Sequence, residues 1–258
     1  MNNIIIPFRA NLLESSSAFN TYSTQFDGVD EYLTCSTLSS LVDNKAKLSI
    51  SFWVNLPDAS EINRITGKYL GLNKWLAIGG HLNGISFVVS GTGTSPNESL
   101  AAGATSAVLT NNTWQHIVCV FDGTQAVNTD RVKIYVDNVD EILTYTANMP
   151  SATYDFSIDA SPPNWLIGQN GIQLGTNELR GMLDEYAIYS DVALTSVEVS
   201  EIYNSGVPND LSTLTVTPNL WYRMGDNDVY PTVTDNVGVE DASMVNMAAG
   251  NFIADVPT

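Results

Sequence analysis

Short apolar runs separated by clusters of Gly, Asn, Asp, Ser and Pro recur along nearly the whole chain. In one run Leu48, Ile50, Phe52 and Val54 alternate with Ser49 and Ser51. A period of two puts the apolar residues on one face of a β-strand and the serines on the other. Comparable runs lie at 32–35, 75–78, 85–89, 116–121, 132–136, 165–167 and 186–189. Many short strands with no helices between them predict a sandwich or closed barrel rather than a parallel α/β sheet. One helix is expected at 195–205. Thr195 stands three residues before Glu198, the spacing of a capping box. Val199, Ile202 and Tyr203 then share a face, and Gly206 is placed to end the helix.

The two ends differ from the middle. Residues 1–20 read as an irregular arm, apolar at Ile4, Ile5, Ile6 and Phe8, then polar around Ser15–Ser17. Residues 21–206 hold the strand pattern. Residues 207–258 hold one strand-like run at 220–224 followed by turn-rich sequence containing Asp226, Asp228, Asp235 and Asp241. That extension is too small for its own core, so it is expected to pack on the sandwich or on a partner.

Composition narrows the function. The 258 residues are 44% hydrophobic, enough for a sizeable core, and carry 28 acidic against 10 basic side chains. A net charge of −18 with no basic cluster excludes phosphate-driven nucleic-acid binding and attraction to anionic membranes. The start, Met1-Asn2-Asn3, lacks a signal peptide's basic region, and Pro7 and Arg9 interrupt the apolar run. The chain is therefore expected to stay in the cytoplasm where it is made, or to leave by another route. Cys35 and Cys119 both sit in strand-like runs and read as buried thiols.

Several ordered segments carry a family resemblance. Phe26-Asp27-Gly28-Val29-Asp30-Glu31-Tyr32 is similar to the opening segment of laminin-G-like domains in the concanavalin A-like lectin/glucanase superfamily. Ile50-Ser51-Phe52-Trp53-Val54 resembles a central strand of that family. Residues 114–123, with Trp114, His116, Phe121, Asp122 and Gly123, resemble its hairpin. Val132-Lys133-Ile134-Tyr135-Val136-Asp137 follows the family pattern, with Asn138 where glycine is usual. Gly181-Met182-Leu183-Asp184-Glu185-Tyr186 through Tyr189 is similar to its late strand, leading into the terminal helix. The resemblance covers about 22–205 and implies an all-β, two-sheet antiparallel jelly roll with one short helix, an N-terminal arm and a C-terminal extension.

The superfamily includes glucanases, so catalysis is weighed from the residues. Their acids alternate along one strand, two glutamates flanking an aspartate, and no such strand occurs here. Asp184 and Glu185 are adjacent, which in a regular strand points them to opposite faces. His81 and His116 are the two histidines, and no nucleophile-elbow motif is present. His116 reads as a packed strand residue. The chain is expected not to be an enzyme.

Two kinds of binding site are candidates. The resemblance implies that the first and last strands are neighbours, which would bring Asp27, Asp30 and Asp184 to one calcium ion. The alternative is that Asp27 and Asp30 build an Asx turn around Gly28 and that Asp184 caps backbone groups. Trp75 and Trp165 follow loop-like sequence and are either rim platforms for sugars or core residues. The loop at 90–97 is a candidate contact loop.

The tail from Trp221-Tyr222-Arg223-Met224-Gly225-Asp226 to Met247 also resembles the ends of laminin-G-like proteins of marine tailed bacteriophages. That implies a structural virion protein, made in the host cytoplasm, as capsid decoration or a fibre or tail appendage. Its expected partners are other virion proteins, further copies of itself and host-surface glycans. The alternative is a carbohydrate-binding module of a bacterial surface or secreted protein.

Overall fold

The computed structural model describes residues 19–36, 38–43, 45–69, 75–90, 99–104, 108–145, 165–169 and 177–258. Its strands, in chain order, are β1 (Ser23–Asp27), β2 (Tyr32–Cys35), β3 (Lys47–Asn55), β4 (Asn63–Tyr69), β5 (Trp75–His81), β6 (Gly84–Ser90), β7 (Ser99–Ala104), β8 (Gln115–Asp122) and β9 (Val132–Val136). They continue with β10 (Val139–Asp140), β11 (Leu143–Tyr145), β12 (Trp165–Ile167), β13 (Arg180–Ser190), β14 (Leu220–Tyr222), β15 (Thr232–Val233), β16 (Ala242–Val245) and β17 (Phe252–Ile253). All named pairings are antiparallel. One sheet runs β10-β9-β8-β3-β13-β1-β17, with β14 also on β13; the other runs β11-β7-β6-β5-β4-β12-β2-β16-β15. This is the expected jelly-roll sandwich.

The core between the sheets holds Leu48, Ile50, Phe52 and Val54 of β3 against Ile78, Phe87 and Trp165 of the facing sheet. The serine face of β3 is buried too, because residues 192–194 and helix α2 (Ser196–Tyr203) cover it. Ser49 is polar because it bonds that cover: its Oγ donates to the Val192 carbonyl and accepts from the Leu194 N–H, both at 3.0 Å. Val199 and Ile202 press into the second apolar cluster on this outer face, with Val118, Val120, Tyr135, Tyr189 and Trp221.

Thr195 caps α2, and Glu198 returns to the Thr195 N–H, completing the predicted box. The left-handed residue that ends the helix is Asn204 (φ +48°) rather than Gly206. Asn tolerates this conformation because its short polar side chain relieves the local strain. A single helical turn at Ser39–Val42 was not expected.

The Asp-rich stretch after residue 207 adds strands to both sheets. Its carboxylates serve the backbone. Asp235 accepts the N–H groups of Trp221, Val237 and Glu240, Asp228 those of Gly225 and Thr234, and Asp241 that of Asp235. Among the described residues no helix is long and apolar enough to cross a membrane. Residues 1–18 of the proposed arm, and 91–97 of the proposed contact loop, lie outside the described residues.

Candidate functional site

The predicted ligand residues separate. Asp27 ends β1 opposite Arg180, while Asp184 lies four positions further along β13. At about 3.3 Å per residue that is about 13 Å of strand, beyond any shared calcium shell of about 2.3–2.6 Å contacts. Asp27 accepts the Val29 N–H at 2.8 Å, the Asx turn weighed above, and Gly28 sits at φ +79°. A Cβ on Gly28 would lie 2.8 Å from that of Arg180. Asp30 is exposed, whereas Asp184 is fully buried. As a set these three do not fit one cation, and no group of three or more His, Cys, Asp or Glu among the described residues forms a metal site.

Trp165 is a correction. It is 1% exposed, its Nε1 donates to the Tyr186 hydroxyl at 3.1 Å, and it cannot be a sugar platform. Alternation decides this, since Trp165 and Ile167 share the inward face of β12. Trp75 begins β5 opposite Tyr69, and its side chain lies outside the described residues. Cys35 and Cys119 are buried thiols in one core cluster, not a disulfide.

Asp184 and Glu185 do not diverge as in a regular strand. A bulge lies between Asp184 and Ala187, with Glu185 at φ +48°, and both carboxylates end in one buried cluster. Asp184 accepts from Asn20 Nδ2 at 2.6 Å and from the Glu185 N–H at 2.9 Å. Glu185 accepts from the Trp221 indole and pairs with Arg223 Nε at 3.3 Å. Arg223 also meets Asp226 at 3.3 Å, donates to the Phe19 carbonyl, and stacks 4.1 Å from the Phe19 ring centroid. Burial pushes both the Asp184 and Glu185 carboxyls up. Residues 19–21 cover the cluster, so these acids have the environment of a structural clasp.

Ser51 and His116 form the nearest approach to a nucleophile–base pair, 3.0 Å from Oγ to Nε2. His116 is 1% exposed beneath Trp53 and Tyr203, and burial pulls its pKa down to about 3. Its Nδ1 has no partner, so no carboxylate orients the ring.

An open site lies at one end of the sandwich. A cleft of about 560 Å³ is lined by Gln25, Asp27, Glu31, Asn55, Asn112, Arg180, Gly250 and Asn251, among others. Asp27 and Arg180 are also the wall of a second cleft, about 680 Å³, with Glu61, Ile62, Asn63, His81 and Glu178. Ile62, Asn63 and His81 continue into a third hollow of about 240 Å³. Its floor is the outward face of β5 and β6, where Ala77, Gly79, Ser86 and Val88 alternate with core residues.

Hydrogen bonds fix the walls. Glu31 accepts from the Asp27 N–H at 2.8 Å and from Asn251 Nδ2 at 3.0 Å. Asn63 is buried and accepts the Arg180 N–H at 3.1 Å. Sequence reasoning reached Asp27 but missed the rest, because six separate segments supply the walls of the first two clefts. The one available signal was Asp27 in the first family segment and Arg180 immediately before the last one, which the fold pairs across β1 and β13.

Residues 27–200 match the concanavalin A-like lectin/glucanase superfamily. The chain belongs to that superfamily. Among solved structures, this lectin-like chain is similar to a "putative carbohydrate binding protein" from Bacteroides ovatus, at 15% identity and a TM-score of 0.63. That match covers 92% of this chain and 61% of the other, so the chain spans less than two thirds of that relative's length. It is also similar to the CBM40 of a Ruminococcus gnavus sialidase bound to α2,3-sialyllactose. There the identity is 9%, the TM-score 0.53, and the coverage 70% of this chain and 95% of the other. At these identities the likeness establishes the lectin-like fold. No curated protein matches the chain in sequence.

Proposed function

We propose that this chain is a non-catalytic glycan-binding module whose ligand lies in the end clefts around Asp27 and Arg180. One observation carries the reading: amide, carboxylate and guanidinium groups on ordered strands and turns border a run of open clefts in a lectin fold. Such groups meet sugar hydroxyls with paired donors and acceptors. The two structural relatives support the class, since one is named for carbohydrate binding and the other holds a sialylated sugar. The absence of catalysis is argued from the acids: Asp184 and Glu185 are enclosed rather than open to a substrate.

The setting proposed is display on a tailed-phage virion, supported by the resemblance of the segment around Trp221–Asp226 to marine-phage proteins. The alternative is a bacterial surface or secreted module. A glycan array tests the binding: wild-type protein should bind a subset of sugars, and Arg180→Ala should lose it while keeping its melting temperature. Equal signals from both proteins would overturn the assignment. Mass spectrometry of purified particles tests the setting, and absence of the chain from them would remove it.

A further inference from the structure

The three clefts adjoin through shared walls. Asp27 and Arg180 belong to the first two, and Ile62, Asn63 and His81 to the last two. Together they run from the Gly250–Asn251 turn, across the ends of β1 and β13, onto the outward face of β5 and β6. Each of the two larger clefts alone has the volume of a small-molecule site, about 300–1,000 Å³. A single sugar would leave most of their volume empty.

The charge along them is lopsided. Asp27, Glu31, Glu61 and Glu178 face Arg180 and Arg64, on a chain of net −18. A concave site with an excess of one sign repels ligands of that sign. We infer that the occupant is an uncharged oligosaccharide lying across the Asp27–Arg180 ridge, held along its length rather than by one end. This rests on the glycan-binding reading above.

Two positions mark the two sides of the ridge. A Cβ added at Gly250 meets nothing within 4 Å, so Gly250→Tyr fills the first cleft without crowding the core. Ile62 is 47% exposed beyond the ridge, and Ile62→Asp alters the second and third clefts.

The experiment titrates wild type and both variants by calorimetry with neutral arabino-, xylo- and gluco-oligosaccharides of one to six units. Uronate-containing oligosaccharides of matched length are titrated in parallel. Affinity for a neutral series should rise about tenfold or more from one unit to four, and each variant should remove about tenfold from the longest ligand. Circular dichroism checks that both variants keep the wild-type fold. Full affinity for one unit, tighter binding of the uronate series, or loss in only one variant overturns the inference and leaves glycan binding standing. No binding to these ligands, together with no binding on the glycan array, overturns both.

Discussion

Replacing Arg223 by Met tests the buried clasp most directly. Among the described residues the guanidinium is the single cation paired with Glu185 and Asp226 beside Asp184, and its side chain is 10% exposed. Removing one partner of a buried ion pair costs about 3–5 kcal/mol, because the remaining charges stay desolvated and uncompensated. For a chain of this size that lowers the melting temperature by about 6–20 °C, at about 2–4 °C per kcal/mol. Urea titration measures the free energy directly. Adding Glu185→Gln to Arg223→Met should recover about 1–3 kcal/mol, the size of a neighbour coupling.

The pH dependence carries a definite sign. Burial raises the Glu185 carboxyl to about 7 and the Asp184 carboxyl in the same direction. A folded-state pKa above the unfolded value means that the native protein binds protons more tightly. This contribution is complete below the ordinary carboxylate range and is lost as pH rises through about 7. Arg223 opposes the rise of Glu185, so its removal should extend the loss to higher pH. A cost below about 1 kcal/mol, the range of a surface pair, would refute the reasoning. So would a difference that stays flat from about pH 5 to pH 8, because stacking on Phe19 and Trp221 would then outweigh charge.

Three further outcomes follow from the geometry. Trp165→Ala should cost about 3–5 kcal/mol in urea titration and leave the glycan affinity of the folded protein unchanged, since Trp165 is core. Thr195→Ala removes the cap of α2 and should cost about 1 kcal/mol, read as a shift in the urea midpoint at constant slope. Asp184→Asn should shift the melting temperature equally in calcium and in chelator; a shift seen only with calcium would restore Asp184 as an ion ligand.

The fold was legible because strict alternation, as in Leu48 to Val54, reports a sheet face directly. The capping box at Thr195 was legible because it depends on residues three apart. The bulge at Glu185 was not: it is set by how β13 meets β3 and by the Arg223 partner far along the chain. Trp165 was misread because the prolines before it suggested a rim, while the inward face of β12 decides its burial. Asp226, Asp228 and Asp235 stood out only as part of turn-rich sequence, but each accepts backbone N–H groups. The end clefts were nearly invisible, since residues 25–31, 55–63, 81, 112, 177–182 and 250–251 meet only after folding.

The antiparallel neighbours β1 and β17 have a kinetic consequence. The Ser23 hydroxyl bonds a carbonyl 232 residues away, and β16 inserts beside β2 in the opposite sheet. Neither sheet has its full set of strands until residues 242–255 have left the ribosome. Before that, β1 and β2 each expose an unsatisfied edge beside apolar core, a template for pairing with another nascent chain. Contacts this distant in sequence slow the search for the native topology. The sandwich should therefore complete its sheets only once residues 242–255 are available, and its yield should fall steeply with temperature and concentration as their docking competes with association.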